Sequence, residues 1–219
     1  MLRKFVALLF LILVLAPVGR AEGYKVESIG ALTEPKVAEA IRGVLDSKGL
    51  RISDDKGKVV CEIWLRKDLP ATGEEVAGAA FSKIGEGSLT GVINFPAVGG
   101  DFRGQGLKSG WYTMRYGLIL QDGNHLGVSP SRDFFIFCPI TDDTDPKKQF
   151  SFDEMIKLSR GASGTGHPSI WSLVAASDEK NLPHIARNEH EHVVVEFQLR
   201  TSSGAVMAVG LIVVGKTEG

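Results

Sequence analysis

The sequence predicts a mainly β fold of the α+β class: an antiparallel β-sandwich or barrel-like core with an N-terminal helix and one short additional helix. Three observations predict it. Most of the chain after the first helix alternates apolar and polar residues with a period of two, as half-buried strands do. Turn residues separate these segments at hairpin spacing. The two helical patterns do not alternate regularly with the strands, which argues against a doubly wound parallel sheet.

The N-terminal part of the fold begins with a predicted strand, 24–29, and a predicted helix, 34–47. Thr33 can cap this helix, Pro35 fits its first turn and Gly49 ends it. One stripe of the helix is apolar and is expected to cover a sheet face or edge. Its members are Val37, Ala40, Ile41, Val44 and Leu45.

The remaining elements follow in order as strands interrupted by one short helix. In the central strand, five residues share one face, so we expect that face to lie in the core: Tyr112, Met114, Tyr116, Leu118 and Leu120. The short helix is expected at 152–159, where apolar residues recur at helical spacing. The predicted strands are 50–52, 58–66, 89–95, 110–120, 134–140, 170–175, 190–201 and 205–214.

The first 21 residues have the pattern of a signal peptide. Arg3 and Lys4 precede an unbroken apolar run at 5–16, which is shorter than the roughly 20 residues that span a bilayer. Gly19 and Ala21 supply small residues at the −3 and −1 positions of a cleavage site. We predict cleavage after Ala21, which leaves a single exported β-rich domain at 22–219, periplasmic or extracellular and bacterial. An uncleaved signal anchor is the alternative.

Cleavage changes the charge of the 219-residue chain. It removes three basic residues and no acid, so 25 basic and 26 acidic residues become 22 and 26, and the net charge moves from −1 to −4. An acidic surface gives no electrostatic reason to expect nucleic acid as a partner. The longest later apolar run, 206–214, has nine residues, so no membrane span is expected after cleavage.

Two cysteines in an exported chain make a disulfide between Cys61 and Cys138 possible. Alternation places Cys61 on the face of Ile63, and Cys138 on the face of Phe134 and Ile136. Both thiols are therefore expected among apolar neighbours. This pattern fits a bridge across the core, and it fits two separate buried thiols equally.

Histidines suggest one metal hypothesis. His190 and His192 stand two residues apart in a predicted strand, so both imidazoles are expected on one face, where they can share a transition metal such as zinc. His184 or His125 would supply a third ligand. The alternative interpretation is the solvated face of a half-buried strand.

A second hypothesis concerns ligand binding by aromatic and loop residues. Trp64 and Trp111 are predicted on the faces opposite the core residues of their strands, where exposed rings can stack on sugars or pack against a protein. Asp122 and Asn124 lie in a thirteen-residue connection, 121–133, which is long for a hairpin and typical of binding loops. The alternative is that the N-terminal helix buries both rings.

No motif in the sequence identifies a reaction. The glycine-rich segment 161–168 lacks the lysine of a phosphate loop and the strand that precedes a nucleophile elbow. We therefore expect a non-catalytic exported module that binds a small molecule, a glycan or a protein. A small metalloprotein or metal-dependent enzyme built on the His190 and His192 pair is the alternative.

Overall fold

The computed structural model describes residues 23–71, 74–101, 105–121, 129, 131–163 and 166–215. The predicted signal peptide, 1–21, lies outside the described residues, as do Asp122, Asn124 and His125.

The described residues form twelve strands and two helices, and ten of the strands make one antiparallel sheet, which confirms the predicted fold class. The order across the sheet is β1-β2-β3-β4-β7-β8-β9-β12-β11-β10, and β5 pairs only with β6. The strands are β1 Lys25–Ile29, β2 Gly49–Ser53, β3 Val59–Leu65, β4 Leu89–Phe95, β5 Gly99–Gly100, β6 Gly106–Leu107, β7 Gly110–Leu118, β8 Asp133–Pro139, β9 Ile170–Ala175, β10 His184–Arg187, β11 Val193–Arg200 and β12 Val206–Val214. The helices are α1 Glu39–Arg42 and α2 Phe152–Ser163.

The sheet curves until its two edge strands approach each other and nearly close a barrel. The guanidinium of Arg187, at the end of β10, lies over the ring of Tyr24, just before β1, with 5.7 Å from Cζ to the ring centroid. Within the described residues no ladder of backbone hydrogen bonds joins β1 to β10, so the barrel is open along this line, which we call the seam. Full closure would remove both sheet edges, and the seam leaves them in place.

The inner face of the barrel holds the main hydrophobic core. Four residues of the expected core face of the central strand, Tyr112, Met114, Tyr116 and Leu118, lie in this core. The expectation is wrong for Leu120, which follows the end of β7 and is exposed. Aromatic rings fill its centre, where Phe137 stacks on Trp171 with ring centroids 4.9 Å apart. This packing explains why the apolar residues of the strands recur with a period of two.

The outer face of β3, β4 and β7 is covered by the N-terminal segment 32–45, but this segment is not the predicted helix 34–47. Only Glu39–Arg42 is helical, and most of the remaining bonds are turns of the i to i+3 type. Three members of the apolar stripe, Val37, Ile41 and Leu45, are nevertheless buried, whereas Val44 is half-buried and Ala40 is exposed. A long helix does not form because residues from Val44 onward bond to the end of β3 instead: Asp46 N–H donates to the Leu65 carbonyl at 2.8 Å.

The second helix, α2, is longer than predicted and covers the outer face of β8. Ser151 and Glu154 form a capping box: the Ser151 hydroxyl accepts from Glu154 N–H at 3.3 Å, and the Glu154 carboxylate accepts from Ser151 N–H at 2.9 Å. Phe152 packs edge-on against Phe134 of β8. The strands β7 and β8 are therefore buried on both faces, and we call these two strands the wall.

Candidate functional site

The histidine pair that suggested a metal site lies in a tight turn and not in a strand, because β11 begins only at Val193. The turn 188–192 joins β10 to β11, and Asn188 holds it: its side-chain oxygen accepts from His190 N–H at 3.1 Å and from His192 N–H at 3.0 Å. Glu191 takes a positive φ of 61°, as in a type I turn followed by a left-handed residue. The period-two argument for a shared histidine face therefore does not apply here.

The two imidazoles still lie near each other, with ring centroids 5.7 Å apart, but their environments differ. His192 is buried and its Nδ1 lies 3.2 Å from the Asn188 amide nitrogen, whereas His190 is exposed, with Nε2 3.6 Å from a Glu189 oxygen. His184 belongs to β10, and its Nε2 lies 3.0 Å from a carboxylate oxygen of Glu196.

The structure therefore does not bring these histidines together as a three-ligand centre. Within the described parts of the chain, no three His, Cys, Asp or Glu side chains are placed to hold one metal ion. His125 lies outside the described residues. Glu196 instead serves the fold, because it also accepts hydrogen bonds from the main-chain N–H groups of Ser177 and Asp178.

The tryptophans do not form an exposed platform. Trp64 is 5% exposed, packs among the N-terminal residues 32–45 and donates its indole N–H to the Gly30 carbonyl at 2.9 Å. Trp111 is half-buried, with its ring centroid 5.6 Å from that of Trp64. The alternative interpretation, burial under the N-terminal segment, holds for Trp64 and in part for Trp111.

Of the two arrangements that the sequence left open for the cysteines, the structure has separate buried thiols at Cys61 and Cys138, and not a disulfide. Their strands, β3 and β8, are separated by β4 and β7. Three strand steps of about 4.8 Å give roughly 14 Å, whereas bridged Cα atoms lie within about 7 Å. The thiols also lie on opposite faces of the sheet: Cys61 is in the barrel core, and Cys138 is on the outer face with Phe134 and Ile136.

Ser163 and His167 both belong to the glycine-rich segment 161–168. The hydrogen bond between them is not the hydroxyl-to-imidazole bond of a serine nucleophile and its base. The Ser163 hydroxyl lies 2.5 Å from the main-chain oxygen of His167, to which it donates. A serine nucleophile needs its hydroxyl bonded to the imidazole of its base.

A cleft of about 400 Å³ opens at the seam, and we call it the seam cleft. It lies where β10 has not yet begun, so that β11 faces the ends of β1, β2 and β3 directly. Its floor is apolar and continuous with the barrel core. The floor residues are Leu50, Ile63, Leu65 and Phe197, and Leu182, Pro183 and Val206 add apolar surface at the sides.

The rim of the seam cleft is basic. Four cations and one acid line it, so the local formal charge is positive although the whole chain has a net charge of −1. The cations are Lys48, Arg66, Lys67 and Arg200, and the acid is Asp46. The Asp46 carboxylate is engaged by its own loop, where it accepts from Lys48 N–H at 3.2 Å.

Three of the rim cations are available to a ligand. Lys48, Lys67 and Arg200 are exposed and form no ion pair or side-chain hydrogen bond with any other described residue. Arg66 is half-buried and donates to the Pro146 carbonyl at 2.8 Å. Burial and the nearby Arg115 guanidinium lower the pKa of Arg66 from its ordinary value, so this cation gains from an added anion.

Sequence reasoning missed the seam cleft. Lys48 precedes β2, and Arg66 and Lys67 follow β3. The predicted hairpin therefore already indicated that these three cations lie close together at its base. Arg200 joins them only because the sheet curls until the end of β11 meets the base of that hairpin. No local pattern reports such closure.

Comparison with known proteins finds no match: no protein-family model, no curated protein and no solved structure resembles this chain closely enough to assign a relative. The described residues contain no helix of the length and apolar character that crossing a bilayer requires.

Proposed function

We propose that this chain is an exported, non-catalytic β-barrel binding module whose ligand is an anion held in the seam cleft. The observation that carries the proposal is the excess of rim cations, three of them without a partner among the described residues, around an apolar floor. Ligand sites combine such an apolar lining with a few polar groups that fix orientation, and barrel mouths are common places for them.

The chemistry of the lining favours binding over catalysis. Among the described residues that line the seam cleft, none is a histidine or a cysteine. Asp46, its one carboxylate, accepts hydrogen bonds from its own loop. A ligand with a carboxylate and a small apolar body fits this lining, because its charge meets the rim and its body covers Leu50 and Leu65.

Benzoate and benzamide test this proposal, since they share a ring and differ in charge. Titration of the purified protein, followed by ¹H–¹⁵N chemical shifts, should place benzoate in the seam cleft, with benzamide at least about fivefold weaker. The double variant Lys67→Glu/Arg200→Glu should weaken benzoate by about tenfold or more. Lys157→Glu/Lys180→Glu makes the same change of net charge at exposed sites outside the cleft and is the matched control.

The outcomes decide between specific and general attraction. Equal binding of benzoate and benzamide, or equal loss of binding in both double variants, would contradict an anion site at the seam. Shifts that map to another surface would contradict its location.

Export is supported by the charged and apolar pattern of the first 21 residues and by the small residues before the cleavage point. Intact mass of the protein recovered outside the cytoplasm should correspond to a chain that begins at Glu22. A mass that includes residues 1–21 would contradict cleavage and favour the signal anchor.

A further inference from the structure

The end of β11 extends past its neighbour in the sheet. β10 begins at His184, which pairs with Glu196, whereas β11 continues to Arg200. The same register would place Gln198 opposite Leu182, which precedes β10, but the ladder between the two strands ends at the His184 and Glu196 pair. Among the residues that the structure describes, β11 therefore has a strand partner on the β12 side only from Phe197 to Leu199.

The main chain of Gln198 points toward the seam cleft. Thr201 N–H donates to the Ala205 carbonyl, so the main-chain N–H and C=O of Thr201 point toward β12. Because this direction alternates along a strand, the N–H and C=O groups of Arg200 and Gln198 point away from β12 and toward the seam cleft. The Arg200 carbonyl confirms this direction, because it accepts from Leu69 N–H at 2.8 Å across the seam. Gln198 thus offers one donor and one acceptor to a ligand.

The side chains along this edge alternate between charge and apolar floor. Gln198 and Arg200 are exposed on the outer face, while Phe197 and Leu199 are buried on the inner face. An added strand has the same alternation. Its residue opposite Gln198 would point outward, close to Arg200, and the residues on either side would point inward toward Leu65 and Phe197.

We infer that the ligand of the seam cleft is an extended acidic peptide segment, which adds as a short strand to the edge of β11 at Gln198. This inference rests on the proposed function and specifies its ligand. The open edge from Phe197 to Leu199 is about 10 Å long, which matches three residues at about 3.3 Å each. Main-chain hydrogen bonds between the peptide and β11 supply affinity. The rim cations select a peptide with an acidic residue opposite Gln198, and the apolar floor selects an apolar residue on each side of it.

Three blocked tripeptides test the inference: acetyl-Val-Glu-Val-amide, its Gln analogue, and its analogue with an N-methyl group on the glutamate. We expect the first to bind in the seam cleft and to protect Gln198 N–H from hydrogen exchange. The Gln analogue should bind about fivefold more weakly because it lacks the charge. The N-methyl analogue keeps the charge and should bind about tenfold more weakly because it cannot pair with the edge.

A pair of variants tests the same bond from the protein side. Gln198→Pro removes the N–H that faces the cleft and leaves the ladder to β12 intact, since proline is tolerated at a sheet edge. Gln198→Ala retains this N–H. The proline variant should bind acetyl-Val-Glu-Val-amide about tenfold more weakly than the alanine variant, with thermal unfolding of both measured to confirm folding.

The possible results separate this inference from the proposed function. If benzoate binds selectively but the N-methyl peptide binds as well as its parent, strand addition is overturned and the anion site stands. Equal binding of the glutamate and glutamine peptides overturns the acidic preference. If neither benzoate nor the peptides bind in the cleft, both the inference and the proposed function fail.

Discussion

The wall and the seam each contain an arginine, but the two guanidinium groups have opposite environments. Arg115 in the wall is fully buried, and its five N–H groups reach both oxygens of Asp143 and the carbonyls of Gly87, Asp145 and Lys148. Arg200 at the seam is exposed and makes no side-chain bond within the described residues. A guanidinium that holds loops has no donors left for a ligand, whereas one at an open edge keeps them all.

The buried network of the wall explains how an irregular segment, 141–150, is held against the sheet. Arg115 also lies over the ring of Phe150, with 4.6 Å from Cζ to the ring centroid. Thr113 donates to Asp143 at 2.5 Å, so this carboxylate has three bonds from β7 side chains. The aspartates at 142–145 therefore include a buried structural anchor.

The largest expected effect is the loss of this network. Arg115→Met should lower the free energy of unfolding by about 3–5 kcal/mol, because it leaves Asp143 buried without its cation. Urea unfolding of Arg115→Met, of Asp143→Leu and of the double variant measures the effect. We expect the double variant to lose less than the sum of the two single variants. A loss below about 1 kcal/mol for Arg115→Met would contradict the contrast with the seam.

The local parts of this contrast were predictable from the sequence. Alternation along β7 correctly assigned Tyr112, Met114 and Tyr116 to the core, because the side-chain period of a strand holds whatever the strand packs against. It also assigned Cys61 and Cys138 to apolar surroundings. Alternation does not report which side of the curved sheet each apolar face occupies, and so it left open a disulfide that the structure contradicts.

The parts that depend on distant pairing were not predictable. Arg115 binds Asp143, 28 residues later, and Arg200 lines the same cleft as Lys48 only because the sheet curves. The strand expected at 190–201 begins three residues late because Asn188 caps a turn with its side chain. The helix expected at 34–47 is reduced to Glu39–Arg42, and it does not continue to residue 47 because the end of β3 offers a carbonyl to Asp46. In both segments a nearby hydrogen-bond partner overrides the apolar pattern.

An intermediate effect is expected from the two buried thiols at alkaline pH. Burial, with a smaller contribution from Asp143, raises the pKa of Cys138 to about 12, and burial, with Glu62, raises the pKa of Cys61 well above its ordinary value of 9.0. The folded state therefore favours the neutral thiols. Their contribution to stability is complete below pH 9 and is lost as pH rises, because thiols of the unfolded chain ionise first.

Urea unfolding between pH 8 and pH 10.5 measures this loss. Well above pH 9, each thiol should remove about 1.4 kcal/mol of unfolding free energy per pH unit. The Cys61→Ala/Cys138→Ala variant should show a flatter dependence, and buried Tyr112 and Tyr116, whose pKa values are also raised, contribute equally to both proteins. Titration of the denatured, unreduced protein should find two free thiols. Finding none would restore the disulfide and contradict the packing described for Cys61 and Cys138.

The smallest expected effect is at the seam. Arg200→Met and Lys67→Met should each change the free energy of unfolding by no more than about 0.5 kcal/mol, since exposed cations without partners contribute little to stability. The same urea titration that measures Arg115→Met measures both. If Arg200→Met lowers the free energy of unfolding by more than about 1.5 kcal/mol, Arg200 stabilises the fold as Arg115 does, and the contrast between seam and wall is wrong. A small loss together with weaker benzoate binding would show that the open seam keeps its cations for a ligand, at little cost to the fold.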